Sequence, residues 1–203
     1  MPTLTLRTKK NGVRRIAENS AAFKKANLRQ KALTDKKSLS KINVSASESL
    51  NGRTLKIGQL APDFMLRDDR GNQVRLSDYR GKKVVLYFYP EDDTPACTKE
   101  ACAFRDNFGD IQLNGAVVLG VSADSVTSHY KFKTKYQLNF PLLSDVERNV
   151  LRAYGVWQEK TMFGRTYMGV VRSTFIIDEH GKIAKIFSKV KIDGHVAEIL
   201  AAL

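Results

Sequence analysis

Residues 83–102 read KVVLYFYPEDDTPACTKEAC, and this stretch decides the fold. Its first seven residues, 83–89, are dominated by β-branched and aromatic side chains, and Pro90 closes the run. Such a run is typical of a strand that is buried on both faces, as in the centre of an α/β sheet. After a short polar loop, Cys97 stands where a helix begins. The stretch therefore predicts a central strand, a loop, and a helix with a cysteine in its first turn.

The sequence on either side of this stretch alternates short apolar runs with turn signals. The patterns predict strands at 63–67 and 73–76, a helix at 97–113, a strand at 116–121, a helix at 125–136, a strand at 141–143, a helix at 147–154, strands at 174–178 and 183–187, and a helix at 196–203. The first and last strand pairs are joined by short turns and form antiparallel hairpins. The pattern thus predicts an α/β, thioredoxin-like fold with a mixed central sheet flanked by helices.

The first 53 residues differ from the rest of the chain in charge. They contain 13 Lys or Arg and 3 Asp or Glu, a net charge of +10, whereas all 203 residues carry +13. They also lack a hydrophobic period long enough to build a core. We therefore divide the chain into a basic, flexible N-terminal extension at 1–53 and a thioredoxin-like domain at 54–203. Three interpretations of the extension stay open: a solvated tail, a segment for nuclear targeting or weak polyanion contact, and an organellar presequence.

Composition limits the class of protein and its compartment. No apolar run approaches the roughly 18–20 residues that cross a bilayer, so no membrane association is expected. Only 2 cysteines occur, and the N-terminus lacks the apolar core of a secretory signal. We expect an intracellular, cytoplasmic protein, with the nucleus or an organelle as alternatives through the basic extension. In such a compartment, two cysteines close in sequence are more often catalytic, redox-active or metal-binding than structural.

The spacing of the two cysteines indicates their chemistry. A helix N-terminus presents free N–H groups and a partial positive charge, which favour the thiolate form of Cys97. Cys102 follows five residues later, which on a helix separates the two Cα atoms by roughly 8–9 Å. A disulfide needs about 4.4–6.8 Å. A bond between Cys97 and Cys102 therefore requires the first helical turns to unwind.

Other interpretations of the cysteines find less support. A free cysteine can be a small buried hydrophobe. A metal site needs more ligands, and His129, His180 and His195 are distant from the cysteines and lack ligand-like spacing. None of the three lies in a motif that suggests a catalytic base, so we expect all of them on the solvent-exposed surface. The sequence predicts neither a metal nor a cofactor.

A series of motifs closely resembles the peroxiredoxins. The motifs are YFYP at 87–90, TPACT at 94–98, EAC at 100–102, FRD at 104–106, GVSADS at 120–125, LSD at 143–145, GV at 155–156 and MGVVRSTFIID at 168–178. Their order and spacing are similar to those of the peroxiredoxin Q group, also called bacterioferritin comigratory protein, over about residues 55–203. Ala96 departs from the pattern, because the family commonly has Gly there. Its added methyl group narrows the approach to the pocket, but we do not expect it to abolish activity.

The resemblance implies a thiol-specific peroxidase that reduces hydrogen peroxide and organic hydroperoxides. Cys97 resembles the peroxidatic cysteine, which becomes a sulfenic acid. Thr94 matches the hydroxyl that binds the peroxide and the thiolate, and Pro90 matches the proline that shields the pocket from water. Arg172 matches the guanidinium that holds the thiolate charge and polarises the peroxide, which agrees with the effect of a cation on a thiol.

The resemblance also implies how the enzyme is recycled. Cys102 matches the resolving cysteine, which gives an intramolecular disulfide with Cys97. Thioredoxin or a similar dithiol would then reduce this bond. Members of the group are often monomeric, so we expect a monomer.

Two functions from other classes stay open. A thioredoxin-like disulfide exchanger or redox sensor is disfavoured because the chain has no Cys-x-x-Cys motif. A nucleic-acid-binding module is disfavoured because aromatic residues are not interleaved with the basic residues of the extension.

Overall fold

The computed structural model of the protein describes residues 54–162 and 164–203. The predictions for the extension at 1–53 lie outside the described residues. The elements are β1 (Met65–Asp68), β2 (Gln73–Arg75), a short 3-10 helix (Leu76–Tyr79), β3 (Lys83–Phe88), α1 (Pro95–Asp106), α2 (Phe108–Leu113), β4 (Ala116–Ser122), α3 (Val126–Tyr136), β5 (Leu142–Ser144), α4 (Asn149–Ala153), β6 (Trp157–Met162), β7 (Arg165–Val170), β8 (Ser173–Ile177), β9 (Ile183–Ser188) and α5 (His195–Leu200). In this described part, no helix combines the length and the apolar character that crossing a membrane requires.

A mixed sheet of seven strands forms the centre of the domain, in the order β2-β1-β5-β4-β3-β8-β9. β3 lies inside the sheet, parallel to β4 and antiparallel to β8. The hairpins β1–β2 and β8–β9 are antiparallel. The predicted central strand, the mixed sheet and both hairpins are confirmed, with small shifts at the ends of the elements.

Each face of β3 contributes to a separate hydrophobic core. One core takes Val84, Leu86 and Phe88, and the other takes Val85, Tyr87 and Cys97. Successive side chains of a strand point to opposite faces, so a strand covered on both sides must be apolar at every position. This double burial explains the continuous apolar run with which the sequence analysis began.

The helix predicted at 97–113 is two helices in the structure. α1 ends at Asp106, and the side-chain amide of the next residue, Asn107, donates a hydrogen bond to the carbonyl of Ala103 at 2.9 Å. Asparagine competes in this way with the backbone bonds that would continue a helix. The apolar spacing persists across the break, which is why the sequence pattern did not reveal it.

The hairpin of β6 and β7 has no counterpart among the predicted elements. It forms a two-stranded antiparallel sheet of its own. Its turn includes Gly164 at φ +73°, a conformation that glycine adopts readily. Most of β7 is exposed, so the hairpin lacks the alternation of apolar and polar residues that indicates a strand.

Candidate active site

The end of β3 leads into the segment that carries most of the predicted site residues. Thr94 caps the N-terminus of α1 with an extended backbone (φ −81°, ψ 151°). Pro95 occupies the first helical position, where its missing N–H removes no intrahelical bond. The first such bond runs from the N–H of Thr98 to the carbonyl of Thr94, at 2.8 Å. The N–H of Cys97, one residue earlier, therefore has no partner within the helix.

Arg172 brings a positive charge to the Cys97 thiol. Its Nη2 lies 3.1 Å from Sγ of Cys97, which is 2% exposed. Arg172 directly precedes β8, and Phe88 at the end of β3 pairs with Ser173 at the start of β8. This strand pairing sets the guanidinium beside the first turn of α1, across 75 residues of sequence.

Glu100 joins this pair as a third charged side chain. Its Oε2 forms an ion pair with Nη1 of Arg172, and its side chain is 1% exposed. Burial raises the pKa of Glu100 to about 7, although the guanidinium opposes the rise. Burial acts to lower the pKa of Arg172, but the charges of Glu100 and Cys97 raise it overall. The guanidinium thus stays charged, while Glu100 can exchange a proton near neutral pH.

Glu100 was not among the site residues predicted from the sequence. The buried residues of α1 are Cys97, Glu100, Ala101 and Phe104, which follow the three-and-four spacing of one helical face. A carboxylate on such a face requires a buried partner. That conflict between residue type and position is the signal that could have identified Glu100.

The other predicted site residues lie close by along the chain. Thr94 is half-buried, and its hydroxyl donates to the carbonyl of Glu91 at 3.3 Å. Pro90 is exposed at the start of the loop. Cys102 is half-buried in α1, and both cysteines are free thiols. The structure brings Cys97 and Arg172 into contact, while Cys102 lies more than one helical turn further along α1.

Aromatic rings enclose the buried side of the site. The ring centroid of Tyr87 lies 4.7 Å from that of Phe104 and 5.3 Å from that of Tyr89. The Tyr87 hydroxyl is buried without a hydrogen-bond partner among the described residues. Burial, followed by the charge of Glu100, raises the pKa of Tyr87, so its ring stays neutral. Cys97 belongs to the same buried hydrophobic cluster as these three rings.

The predicted exposure of the three histidines is wrong for two of them. His180 is exposed, but His129 is 0% exposed and His195 is 2% exposed. His129 pairs with Asp92, and Nε2 of His195 lies 2.8 Å from Oγ1 of Thr174. These partners are far away in sequence, so the residues around each histidine do not reveal its burial. Within the two described ranges, no group of three or more His, Cys, Asp or Glu residues is arranged to hold a metal ion.

Comparison with known proteins identifies the family of this chain. The model of the AhpC/TSA family matches residues 57–186. Peroxiredoxin Bcp of Bacillus subtilis is 52% identical over 150 residues, which are 74% of this chain and 96% of the relative.

Solved structures give the same result. A bacterioferritin comigratory protein of Xanthomonas campestris, described for its alkyl peroxide reduction activity, matches with a TM-score of 0.68 and 38% identity, over 72% of this chain and 96% of that one. A PrxQ mutant of Xylella fastidiosa matches with a TM-score of 0.70 and 36% identity, over 74% and 96%. The predicted thioredoxin-like fold is confirmed. The chain belongs to the AhpC/TSA family and, within it, to the peroxiredoxin Q group of thiol peroxidases.

Proposed function

We propose that Cys97 is the attacking thiolate of this peroxidase and that Arg172 holds its negative charge. The observation that carries the proposal is the 3.1 Å contact between Nη2 of Arg172 and Sγ of Cys97. A charged donor at this distance favours the thiolate, which is the nucleophilic form of cysteine. The N-terminal end of α1 adds partial positive charge at the same place.

In the first step, Sγ of Cys97 attacks the terminal oxygen of a hydroperoxide. The S–O bond forms as the O–O bond breaks, Cys97 is oxidised to a sulfenic acid, and the leaving oxygen takes a proton to depart as water or an alcohol. The free N–H of Cys97 and the guanidinium of Arg172 are the donors available to the peroxide oxygens. Such donors stabilise the charge that develops on the leaving oxygen.

Thr94 and Pro90 have supporting roles in this proposal. The Thr94 hydroxyl lies at the same end of α1 as Cys97, and a rotation away from the carbonyl of Glu91 turns it toward the peroxide. Pro90 begins the loop beside this end of the helix and shields a bound peroxide from bulk water.

In the second step, the Cys102 thiol resolves the sulfenic acid. Its sulfur attacks Sγ of Cys97, the S–S bond forms, the S–OH bond breaks, and water leaves. Both cysteines lie in α1, so the turns between them must unwind before the sulfurs can meet. A dithiol reductant of the thioredoxin type then restores both thiols and leaves as a disulfide.

The proposal extends to substrates and partners. Hydrogen peroxide and organic hydroperoxides are both expected as substrates, because the Xanthomonas campestris relative is described for alkyl peroxide reduction. We propose that the enzyme acts as a monomer in an intracellular, cytoplasmic compartment, or in the nucleus or an organelle if the extension directs it there. Residues 1–53 carry a net charge of +10, and this charge suits weak contact with a polyanion.

The central test is a stopped-flow assay of hydrogen peroxide consumption with thioredoxin, thioredoxin reductase and NADPH. Cys97→Ser is expected to abolish turnover. Cys102→Ser is expected to keep one fast oxidation per chain and to lose recycling by thioredoxin. Undiminished turnover in Cys97→Ser would refute the assignment.

A second test addresses the extension. The full chain and a chain without residues 1–53 are compared in a salt titration of DNA binding. If the extension binds polyanions, deletion removes both the binding and its salt dependence. Unchanged binding after deletion would contradict this part of the proposal.

A further inference from the structure

The loop between β3 and α1 contains a buried aspartate that the proposed chemistry does not use. Asp92 is 8% exposed, whereas the side chain of the next residue, Asp93, is 43% exposed. A buried carboxylate is tolerated only where hydrogen-bond donors replace the water that it loses. The donors around Asp92 therefore identify what holds the loop.

Three side chains form hydrogen bonds with the carboxylate of Asp92. The hydroxyl of Tyr89 donates to Oδ1 at 2.8 Å, and the hydroxyl of Ser128 donates to Oδ2 at 2.7 Å. Nδ1 of His129 lies 2.9 Å from Oδ2 and 3.1 Å from Oδ1. Because a carboxylate only accepts, Nδ1 of His129 carries a proton. Both oxygens of Asp92 are thus occupied by protein donors.

The two ends of α3 hold consecutive residues of the loop. Ser128 and His129, near the start of α3, bind Asp92. At the other end, Nζ of Lys135 lies 2.7 Å from Oδ2 of Asp93, and the hydroxyl of Tyr136 donates to Oδ1 of Asp93 at 2.6 Å. α3 therefore holds the loop through two sets of contacts, a buried set at Asp92 and an exposed set at Asp93.

The backbone of the loop is strained at Asp93, between the two contacts with α3 and the start of α1. Asp93 has φ +57°, in the left-handed region that residues other than glycine seldom adopt. Such a conformation persists where the surrounding contacts determine it. The buried contacts of the Asp92 side chain and the exposed contacts of the Asp93 side chain hold the backbone of Asp93 in this conformation.

We propose that Asp92 is a positioning residue for the peroxide site. Through Ser128 and His129 it fixes the loop to α3, and the loop in turn fixes Thr94 and the first turn of α1. The inference rests on the proposed roles of Cys97 and Thr94.

The need for a fixed loop follows from the unwinding of α1. Each cycle that forms the Cys97–Cys102 bond opens the first turns of the helix, and each reduction lets them close again. A loop tied to α3 keeps the residues that precede the helix, up to Thr94, in place while these turns open. α1 then closes with the N–H of Cys97 and the hydroxyl of Thr94 in the positions that the peroxide requires.

The first experiment compares wild type with Asp92→Asn in the full chain, using two reactions of the same thiol. Oxidation of Cys97 by hydrogen peroxide requires aligned donors, whereas alkylation by iodoacetamide requires only an accessible thiolate. We expect Asp92→Asn to lower the rate constant with peroxide by at least about tenfold, because small displacements of positioning groups have large effects on rate. The alkylation rate is expected to stay the same or to rise.

A matched pair at His129 gives a second measurement if Asp92→Asn fails to fold. The side-chain amide of His129→Asn can donate to Asp92 from nearly the position of Nδ1, whereas His129→Leu cannot donate. We expect His129→Asn to recover most of the peroxide rate that His129→Leu loses.

Ser125→Ala serves as the control for general loosening of α3. The Ser125 side chain caps this helix by accepting a hydrogen bond from the N–H of Ser128, and it does not contact Asp92. Ser125→Ala is expected to lower the melting temperature and to leave the peroxide rate unchanged.

Three outcomes would overturn the inference. Equal peroxide rates in wild type, Asp92→Asn and His129→Leu would show that the contacts of Asp92 with α3 have no part in the reaction. The proposed function would remain intact. Equal losses in His129→Asn and His129→Leu would show that the bond to Asp92 is not what matters. A loss of peroxide rate in Ser125→Ala as large as in Asp92→Asn would indicate loosening of α3 alone. Failure of the proposed function is recognised separately, because wild-type Cys97 would then not react with peroxide.

Discussion

One guanidinium group, that of Arg172, contacts two groups that can carry negative charge on the same helix. Its Nη2 lies 3.1 Å from Sγ of Cys97, and its Nη1 pairs with Oε2 of Glu100, three residues further along α1. The charge of Arg172 is therefore shared between the thiol and the carboxyl group. How it is divided depends on whether Glu100 holds a proton.

Replacing Arg172 by lysine should separate charge from geometry. The planar guanidinium reaches both partners at once, whereas an ammonium group is a single point of charge. We expect Arg172→Lys to lower the second-order rate constant for peroxide by about 10²–10³-fold, as is typical for loss of a preorganised donor. Stopped-flow measurement checks this, with Arg165→Lys on the exposed β7 strand as the matched control. A rate equal to that of wild type would remove Arg172 from the proposed mechanism.

Glu100 should make stability depend on pH in an unusual direction. Its pKa is raised by burial from 4.5 to about 7, so the folded chain holds a proton that the unfolded chain releases at lower pH. The stabilisation from this proton is complete below about pH 4.5 and is lost as the pH rises to about 7, by about 3 kcal/mol in total. The free energy of unfolding, measured by urea titration from pH 4.5 to 8, should fall relative to that of Glu100→Gln over this range. Parallel curves for the two proteins would contradict the buried state of the carboxyl group.

Gly120 should tolerate no side chain. A Cβ atom built there would lie 2.8 Å from atoms of the Tyr87 side chain, and the contacts of that ring with Phe104 and Tyr89 keep it from moving. Gly120→Ala is expected to lower the free energy of unfolding by about 1–3 kcal/mol, as overpacked cores do. Gly109→Ala is the control, because Gly109 lies in α2 with open space around it. That change should stabilise by about 0.5–1 kcal/mol, and an equal effect at both positions would be inconsistent with the packing of Tyr87.

Oxidation should loosen α1 and spare β3. Forming the Cys97–Cys102 disulfide requires the turns between the two residues to open, so amide hydrogen exchange in residues 98–106 should accelerate by at least about tenfold after one equivalent of peroxide. The amides of β3 should keep their protection. Cys102→Ser treated in the same way is the control, since its sulfenic acid cannot close the ring. Unchanged exchange in α1 of a chain that mass spectrometry shows to be disulfide-bonded would contradict the unwinding.

The sequence predicts the parts of this fold that depend on local pattern. The apolar run at 84–89 identifies the central strand, because burial on both faces leaves no room for polar residues. The β6–β7 hairpin escapes prediction, because its exposed strands need no apolar alternation. The break at Asn107 escapes it as well, because the apolar spacing continues into α2.

The residues of the candidate site also fall into two groups, those that the sequence could predict and those that it could not. The candidate role of Cys97 follows from its place at the start of a helix, and the candidate roles of Cys102 and Arg172 follow from the family resemblance. The burial of His129 depends on Asp92, 37 residues away, which no local pattern can indicate. Side chains whose role comes from a distant partner are visible only once the chain is folded.

The pairing of β3 with β8 has a consequence for the growing chain. During synthesis, β3 and both cysteines of α1 exist well before Arg172 and β8 have been made, since 75 residues separate the thiol from its guanidinium. A nascent or prematurely terminated chain that lacks β8 therefore carries Cys97 without the guanidinium that contacts its thiol in the folded domain. In the proposed mechanism, the thiol is therefore activated only when the β8–β9 hairpin adds to β3 and completes the sheet.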